Sequence, residues 1–388
     1  MLGGEPGVMR GRMRLLLAGA AGLAATWGSL TLMQARGLRE LPAEVIRPQL
    51  IFFAERDPEL LQRFLQPEVL GELAANGWGL SVALLRLDGR TADLVASVLA
   101  RDIPVYAWLT LPREEGYWLS TDNWRAAAGL YDRFSCWARD HDLQFSGVVL
   151  DMETPYEESQ LLARAIAGGW WPTIRWYLAR ERRPEAFARA RAAYQGLVGR
   201  IRSEGREAVL VTYPAVLDDR RDGDADLQAL LRVVDLPGTR RVFMVYRTAF
   251  DSTGKSLGAA PIASYGRDLD GGELAVGDLL DESYGLAELQ ADLQVAARYS
   301  RTIWIYSLEG AVTRGLLGEL AKLDYTSTPY ISLREAWGTT VLRQRVLAGD
   351  ILARSWARWV SVGVVLVGAW WLVSAMRGLR QKSREMLS

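Results

Sequence analysis

Two acidic residues two positions apart, Asp151 and Glu153, close the apolar run Gly147–Asp151 within the segment FSGVVLDMETP. On extended backbone, residues i and i+2 point to the same side. Both carboxyls therefore face one way. Two like charges that close disfavour double ionisation, so one of the two pKa values rises. A carboxylic acid that keeps its proton near neutrality can protonate a leaving oxygen. The same spacing also suits an ion-paired or helix-capping pair at a strand end. Other apolar runs also end in reactive or hydrogen-bonding side chains. PVYAWLT ends in Trp108 and Thr110, AVLVTY in Tyr213, and RVFMVYR in Tyr246 and Arg247. TIWIYSLE ends in Tyr306 and Glu309. For Glu309 the alternatives are a second reacting carboxylate and an acid favoured by the dipole at the start of the following helix.

Composition narrows the chemistry. The 388 residues hold one cysteine, Cys136, and one histidine, His141. That excludes an internal disulfide framework, a cysteine-based zinc site and a multi-histidine metal site. It leaves little room for a Ser-His-Asp triad, so hydrolytic chemistry would rest on carboxylates. Lys+Arg and Asp+Glu each number 46. This balance argues against a nucleic-acid partner, which would call for a basic excess. No G-x-G-x-x-G or G-K-T loop follows any apolar run, and no cofactor or metal is expected. Fifteen Trp and fourteen Tyr suit a sugar cleft, a membrane interface or a large core.

The elements that would position these residues read as repeated strand-then-helix units. Candidate strands are Gln49–Ala54, Leu80–Leu87, Pro104–Leu109, Gly147–Asp151, Ala208–Tyr213, Arg241–Tyr246, a seventh near Glu273–Gly277, and Thr302–Tyr306. Eight units in about 290 residues match an α/β fold of the (β/α)8 TIM-barrel type. An open doubly wound sheet is the alternative. Catalytic groups of such barrels sit at the C-terminal ends of the strands, which is where the residues above fall. Tyr117, Trp118 and Trp124 follow strand three, and Tyr156, Trp170 and Trp171 follow strand four. They are candidate sugar-stacking subsites, or packing between loop and barrel. Arg113 and Arg247 could read an acidic group. A helix is expected from about Pro172 to Arg202, with the run RERR at 180–183 as a solvated face. The acidic stretch 218–225, DDRRDGDA, lacks the spacing of a calcium loop and reads as a polar loop. His141 and Cys136 lie on the approach to strand four and read as structural.

In that context FSGVVLDMETP resembles the strand-four signature of family-18 glycoside hydrolases, the chitinase-like barrels, roughly D-G-x-D-x-D-x-E. Gly147, Asp151 and Glu153 match; Ser146 and Val149 stand where the first two aspartates would be, and Met152 where Trp or another apolar residue is usual. VTYPA, FMVYR and IWIYSLEG are similar to the family's endings of strands five, six and eight. The resemblance implies that Glu153 is the general acid. Asp151 would hold the substrate's N-acetyl group as it attacks its own anomeric carbon, Tyr246 would hydrogen-bond the cyclised intermediate, and Tyr306 would floor the sugar site. Tyr213, Tyr306, Glu309, Trp108 and Arg247 are the expected substrate-binding residues. A degenerate barrel that binds a glycan without cleaving it is the alternative.

The ends of the chain differ from its middle. Residues 15–35 carry no charge and follow Arg10, Arg12 and Arg14. Residues 359–376 are also uncharged and precede Arg377, Arg380, Lys382 and Arg384. Each is about long enough to span a bilayer. The first is an anchor or a cleaved signal peptide. The expected organisation is a cytoplasmic segment 1–14, a transmembrane helix 15–35, a barrel domain 45–340, a transmembrane helix 359–376 and a basic cytoplasmic tail 377–388. By the positive-inside rule the barrel lies outside a bacterial inner or plasma membrane. The expected partners are a carbohydrate, the lipid bilayer and a polysaccharide synthesis or export complex.

Overall fold

The structure, a computed structural model, describes residues 26–180, 183–221, 223–251 and 256–347. Eight parallel strands close into a barrel in sequence order. They are β1 Gln49–Ala54, β2 Gly79–Ala83, β3 Val105–Leu109, β4 Gly147–Met152, β5 Glu207–Thr212, β6 Arg240–Met244, β7 Glu273–Asp278 and β8 Thr302–Tyr306. β8 returns to β1 with Phe53 opposite Tyr306. The α/β barrel expected from the alternating units is therefore the one found, and the open sheet is not.

The strands read as continuous apolar runs because both of their faces are covered. Alternate residues split into two cores. Ile51, Phe53, Trp108, Val149, Val211, Val242 and Trp304 fill the barrel interior. Phe52, Leu80, Val148, Leu150, Leu210, Phe243 and Ile303 pack outward against the helices. The floor of the interior is polar and fully paired. Arg240 donates to Tyr106 at 2.8 Å, to Glu207 at 2.9 Å and to Glu273 at 2.9 Å. The Trp304 indole donates to the same Glu273 carboxylate at 2.7 Å. Gly147 is required where β4 meets β5, since a Cβ there would lie 2.8 Å from the Glu207 carbonyl oxygen.

Several boundaries differ from expectation. β2 stops at Ala83 rather than Leu87, because the chain turns out toward Asp88, whose carboxylate caps the helix Gly89–Leu99 by accepting from Thr91 N–H at 2.8 Å. β6 stops at Met244 rather than Tyr246, where a short helix Arg247–Asp251 begins. The segment after β4 is not a loop but two helices, Tyr156–Ala167 and Trp170–Ala179. The long helix expected from Pro172 is two pieces. Pro184 opens the second, Pro184–Ser203, because a proline ring suits a first helical turn and not an interior one. Asp218 and Asp219 are not in a polar loop. They end the helix Ala215–Asp219, buried, with Asp218 paired to Arg343.

A helix through residues 26–38 packs on the domain with Thr31 and Ala35 fully buried, while Trp27, Leu30 and Met33 are exposed. It pairs with the helix through residues 333–347. Thr31 donates to the Gln344 side chain at 3.1 Å, and Gln344 donates to Gln34 at 3.1 Å. No helix among the described residues is long and apolar enough to cross a membrane. Residues 15–25 and 359–376 of the two uncharged runs lie outside the described residues.

Candidate active site

The strand parity that fills the barrel interior also builds its mouth. Val149 points inward, so Asp151 does too, and Glu153 follows just beyond β4. The segment after β3 holds this strand end in place. Leu119 N–H donates to the Asp151 carbonyl at 2.9 Å, and Glu153 N–H donates to the Leu119 carbonyl at 2.9 Å. Asp151 is 3% exposed, and its Oδ1 has no hydrogen-bond partner among the described residues. Glu153 keeps partial access to solvent.

The electrostatics follow from burial and like charge. Burial raises the Asp151 carboxyl well above its ordinary value, and the charges of Glu153 and Glu55 add to the rise. The Trp108 indole N–H faces it and opposes the shift, in an approach too loose for a formed hydrogen bond. Glu153 is pushed up to about 7, first by burial and further by the charge of Glu55, against the hydroxyl of Tyr213 that donates to it. That hydroxyl also accepts from Thr154 N–H at 3.3 Å. Both carboxyls are thus raised above their ordinary range, one enclosed and one with partial access to solvent.

Tyrosines complete the ring. Tyr246 is raised by burial and by the charges of Asp151, Glu153, Asp278 and Glu55. Its ring lies 6.3 Å from that of Tyr306. Tyr306 donates to Glu55 at 2.5 Å, and Tyr117 donates to the other oxygen of the same carboxylate. Glu55 was absent from the sequence-derived set. The readable signal was parity: Ile51 and Phe53 face the interior, so position 55 does as well. The apolar run ends at Ala54, and attention to hydrophobicity stopped one residue short.

Asp151, Glu153, Tyr213, Tyr246, Tyr306 and Trp108 therefore converge on the mouth. Two others turn away. Arg247 forms a bidentate ion pair with Asp292 of the helix Leu286–Ala296, a carboxylate that also accepts from Tyr284 at 2.8 Å. Glu309 is 3% exposed and accepts the Glu55 backbone N–H at 2.7 Å. Of the aromatics, Trp118 stacks between Tyr117 at 5.6 Å and Tyr156 at 5.5 Å, with Arg113 over the Tyr156 ring at 5.6 Å. Trp171 is exposed, Trp124 opens a helix, and the side chain of Trp170 lies outside the described residues. Among the described residues no cluster of His, Cys, Asp and Glu is arranged to hold a metal ion.

No protein-family model matches the chain, and no curated protein matches it in sequence. Solved structures resemble it distantly. A GH18 chitinase from Pseudoalteromonas aurantia has 10% identity and a TM-score of 0.43, over 71% of this chain and 100% of that one. The PgaB (BpsB) glycoside hydrolase domain from Bordetella bronchiseptica has 13% identity and a TM-score of 0.40, over 72% and 99%. A D-psicose 3-epimerase from Clostridium cellulolyticum has 11% identity and a TM-score of 0.38, over 77% and 99%. A fold does not by itself fix a function, which has to be argued from the site.

Proposed function

We propose that this chain is a glycoside hydrolase that cleaves a glycan containing N-acetylated amino sugars, with Glu153 as the general acid. The observation that carries the reading is the Asp151–Glu153 pair at the barrel mouth, Asp151 enclosed and Glu153 pushed up to about 7 while keeping partial access to solvent. The acid donates its proton to the bridging oxygen as the bond from that oxygen to the anomeric carbon breaks. The acetamido oxygen of the same sugar closes on the anomeric carbon, the substrate-assisted variant of glycoside hydrolysis. Asp151, enclosed beside it, accepts from the acetamido N–H and steadies the positive charge. Tyr246 is placed to hydrogen-bond the closed ring. Water then adds at the anomeric carbon as the bond from that carbon to the acetamido oxygen breaks, and it gives its proton to the Glu153 carboxylate, so configuration is retained. Tyr213, Tyr306 and Trp108 line the sugar site. Arg247, paired with Asp292, and Glu309, bonded to the Glu55 backbone, are given no direct contact with the sugar in this reading.

The two uncharged terminal runs with basic flanks support a place in a bacterial inner or plasma membrane, barrel outward, beside a polysaccharide synthesis or export complex. Fusions of a periplasm-dependent reporter at the two ends test the topology, and both should be silent.

Cleavage of tetra-N-acetylchitotetraose and of N-acetylated β-1,6-linked oligomers, followed by product chromatography, tests the chemistry. Glu153→Gln should cost about 10²–10⁴-fold in rate. Equal cleavage by both proteins removes Glu153 from its role. Binding without cleavage by either supports a glycan-holding barrel instead.

A further inference from the structure

The strand-four signature that this chain resembles carries an aspartate at the position of Val149. Here that side chain is fully buried among apolar neighbours in the barrel interior. Asp151 therefore has no acidic neighbour on the N-terminal side of its own strand. A carboxylate reaches the site from another strand. Glu55 extends the inward row of β1, Ile51 and Phe53, and its charge acts on both Asp151 and Glu153.

Glu55 is held from three elements. Tyr306 from β8 donates to one carboxylate oxygen at 2.5 Å. Tyr117 from the segment after β3 donates to the other. Glu309, in the helix Leu308–Thr313, accepts the Glu55 backbone N–H at 2.7 Å. The hold is costly. Tyr117 sits at φ 61°, in the left-handed region, which costs about 1–2 kcal/mol for a residue other than glycine. Glu309 is buried, its second oxygen has no hydrogen-bond partner among the described residues, and burial raises its carboxyl. Strain and a buried acid at one side chain are features of a site rather than of a surface.

We propose that Glu55 is a positioning residue for the proton of Glu153: clamped by Tyr117, Tyr306 and Glu309, it supplies from β1 the negative charge that β4 lacks at Val149. The inference rests on the reading of Glu153 as the acid. The other charged and titratable groups around the pair are Asp151 on β4, Tyr213 after β5, Tyr246 after β6 and Asp278 at the end of β7. Arg113 acts on Tyr117 and Arg56 on Glu309. The charge of Glu55 acts on Glu153, and Asp151, itself acted on by Glu153, is its other acidic neighbour. Removing the Glu55 charge should make Glu153 a stronger acid.

The full chain labelled with ¹³C at glutamate carboxyls tests this without any turnover. The Glu153 signal is the one lost in Glu153→Gln. In the wild type its titration midpoint should lie near 7. In Glu55→Gln it should fall by on the order of one pH unit or more, since a unit charge ~12 Å away in an effective dielectric of ~20 is worth about one unit and a nearer one more. Glu55→Ala removes the same charge without offering the tyrosines an amide and should shift the midpoint in the same direction. Glu55→Asp keeps the charge and should hold it near the wild-type value. An unmoved midpoint in a folded Glu55→Gln or Glu55→Ala chain overturns the proposal. Because the readout is titration, a chain that cleaves no glycan still decides it, so failure here and failure of the hydrolase reading are separate results.

Discussion

At the residue scale, the site turns on acids that are kept from ionising. Glu153 is pushed from an ordinary 4.5 up to about 7 in the folded chain, mainly by burial. Between those values the folded state binds more protons than the unfolded one. The contribution of Glu153 to stability is therefore greatest below about pH 4.5 and is lost as pH rises through about 7. Glu153→Gln removes that contribution. The variant should match the wild type at pH 4.5 and exceed it at pH 8 by up to about 3 kcal/mol. Urea unfolding at the two pH values measures this, and a variant that is weaker at pH 8 contradicts it. Hydrolysis should follow the same protonation and decline above pH 7. Asp151, Glu153 and the three tyrosines were legible because strand ends at a barrel mouth are where period-two alternation delivers side chains. Glu55 was not, because an apolar run marks where a strand is buried rather than where its inward row stops. Arg247 was legible as a strand-end cation but not as an occupied one, since Asp292 lies 45 residues further along the chain.

At the element scale, helices pin the strand ends through buried charge. The Asp292 side chain has no exposure, and its carboxyl is pushed up to about 6 by burial even with Arg247 beside it. Arg247→Met leaves that acid uncompensated and should cost about 3–5 kcal/mol near pH 8. The deficit should shrink at pH 5, where Asp292 takes up a proton. Arg247→Met combined with Asp292→Asn should recover most of the loss. Thermal unfolding of the single and double variants checks this, and additive losses would show that the pair does not join the helix Arg247–Asp251 to Leu286–Ala296. The helix Tyr156–Ala167 escaped the sequence reading, which anticipated Trp170–Ala179 only from about Pro172 on, for a local reason. Gly168 and Gly169 break its periodicity, and Gly169 takes φ 96°. The aromatic load alone suggested a loop.

At the scale of the whole molecule, the barrel axis runs from a neutralised floor to an acidic mouth. At the floor, Arg240 is shared by Glu207, Glu273 and Tyr106 beneath Trp304. The charges paired there serve the fold, as expected of the N-terminal face of such barrels. Arg240→Met should therefore cost about 3 kcal/mol or more and leave the pH dependence of any hydrolysis unchanged. A shift in that pH dependence would mean that the floor and the mouth communicate. The closed barrel was legible because eight apolar runs alternate with helices at even spacing. The exact strand ends were not, because they depend on caps such as Asp88 and on the turn at Arg247. The stack of Tyr117, Trp118 and Tyr156 gives the entrance one further property. Its first ring carries the hydroxyl that rests on Glu55, so a polymer that wedges this wall aside also lifts a hydrogen bond from the carboxylate behind it. Under the proposed function, entry and proton readiness would be geared together: a guest's own push at the doorway would loosen one of the two hydroxyls that hold Glu55 in place.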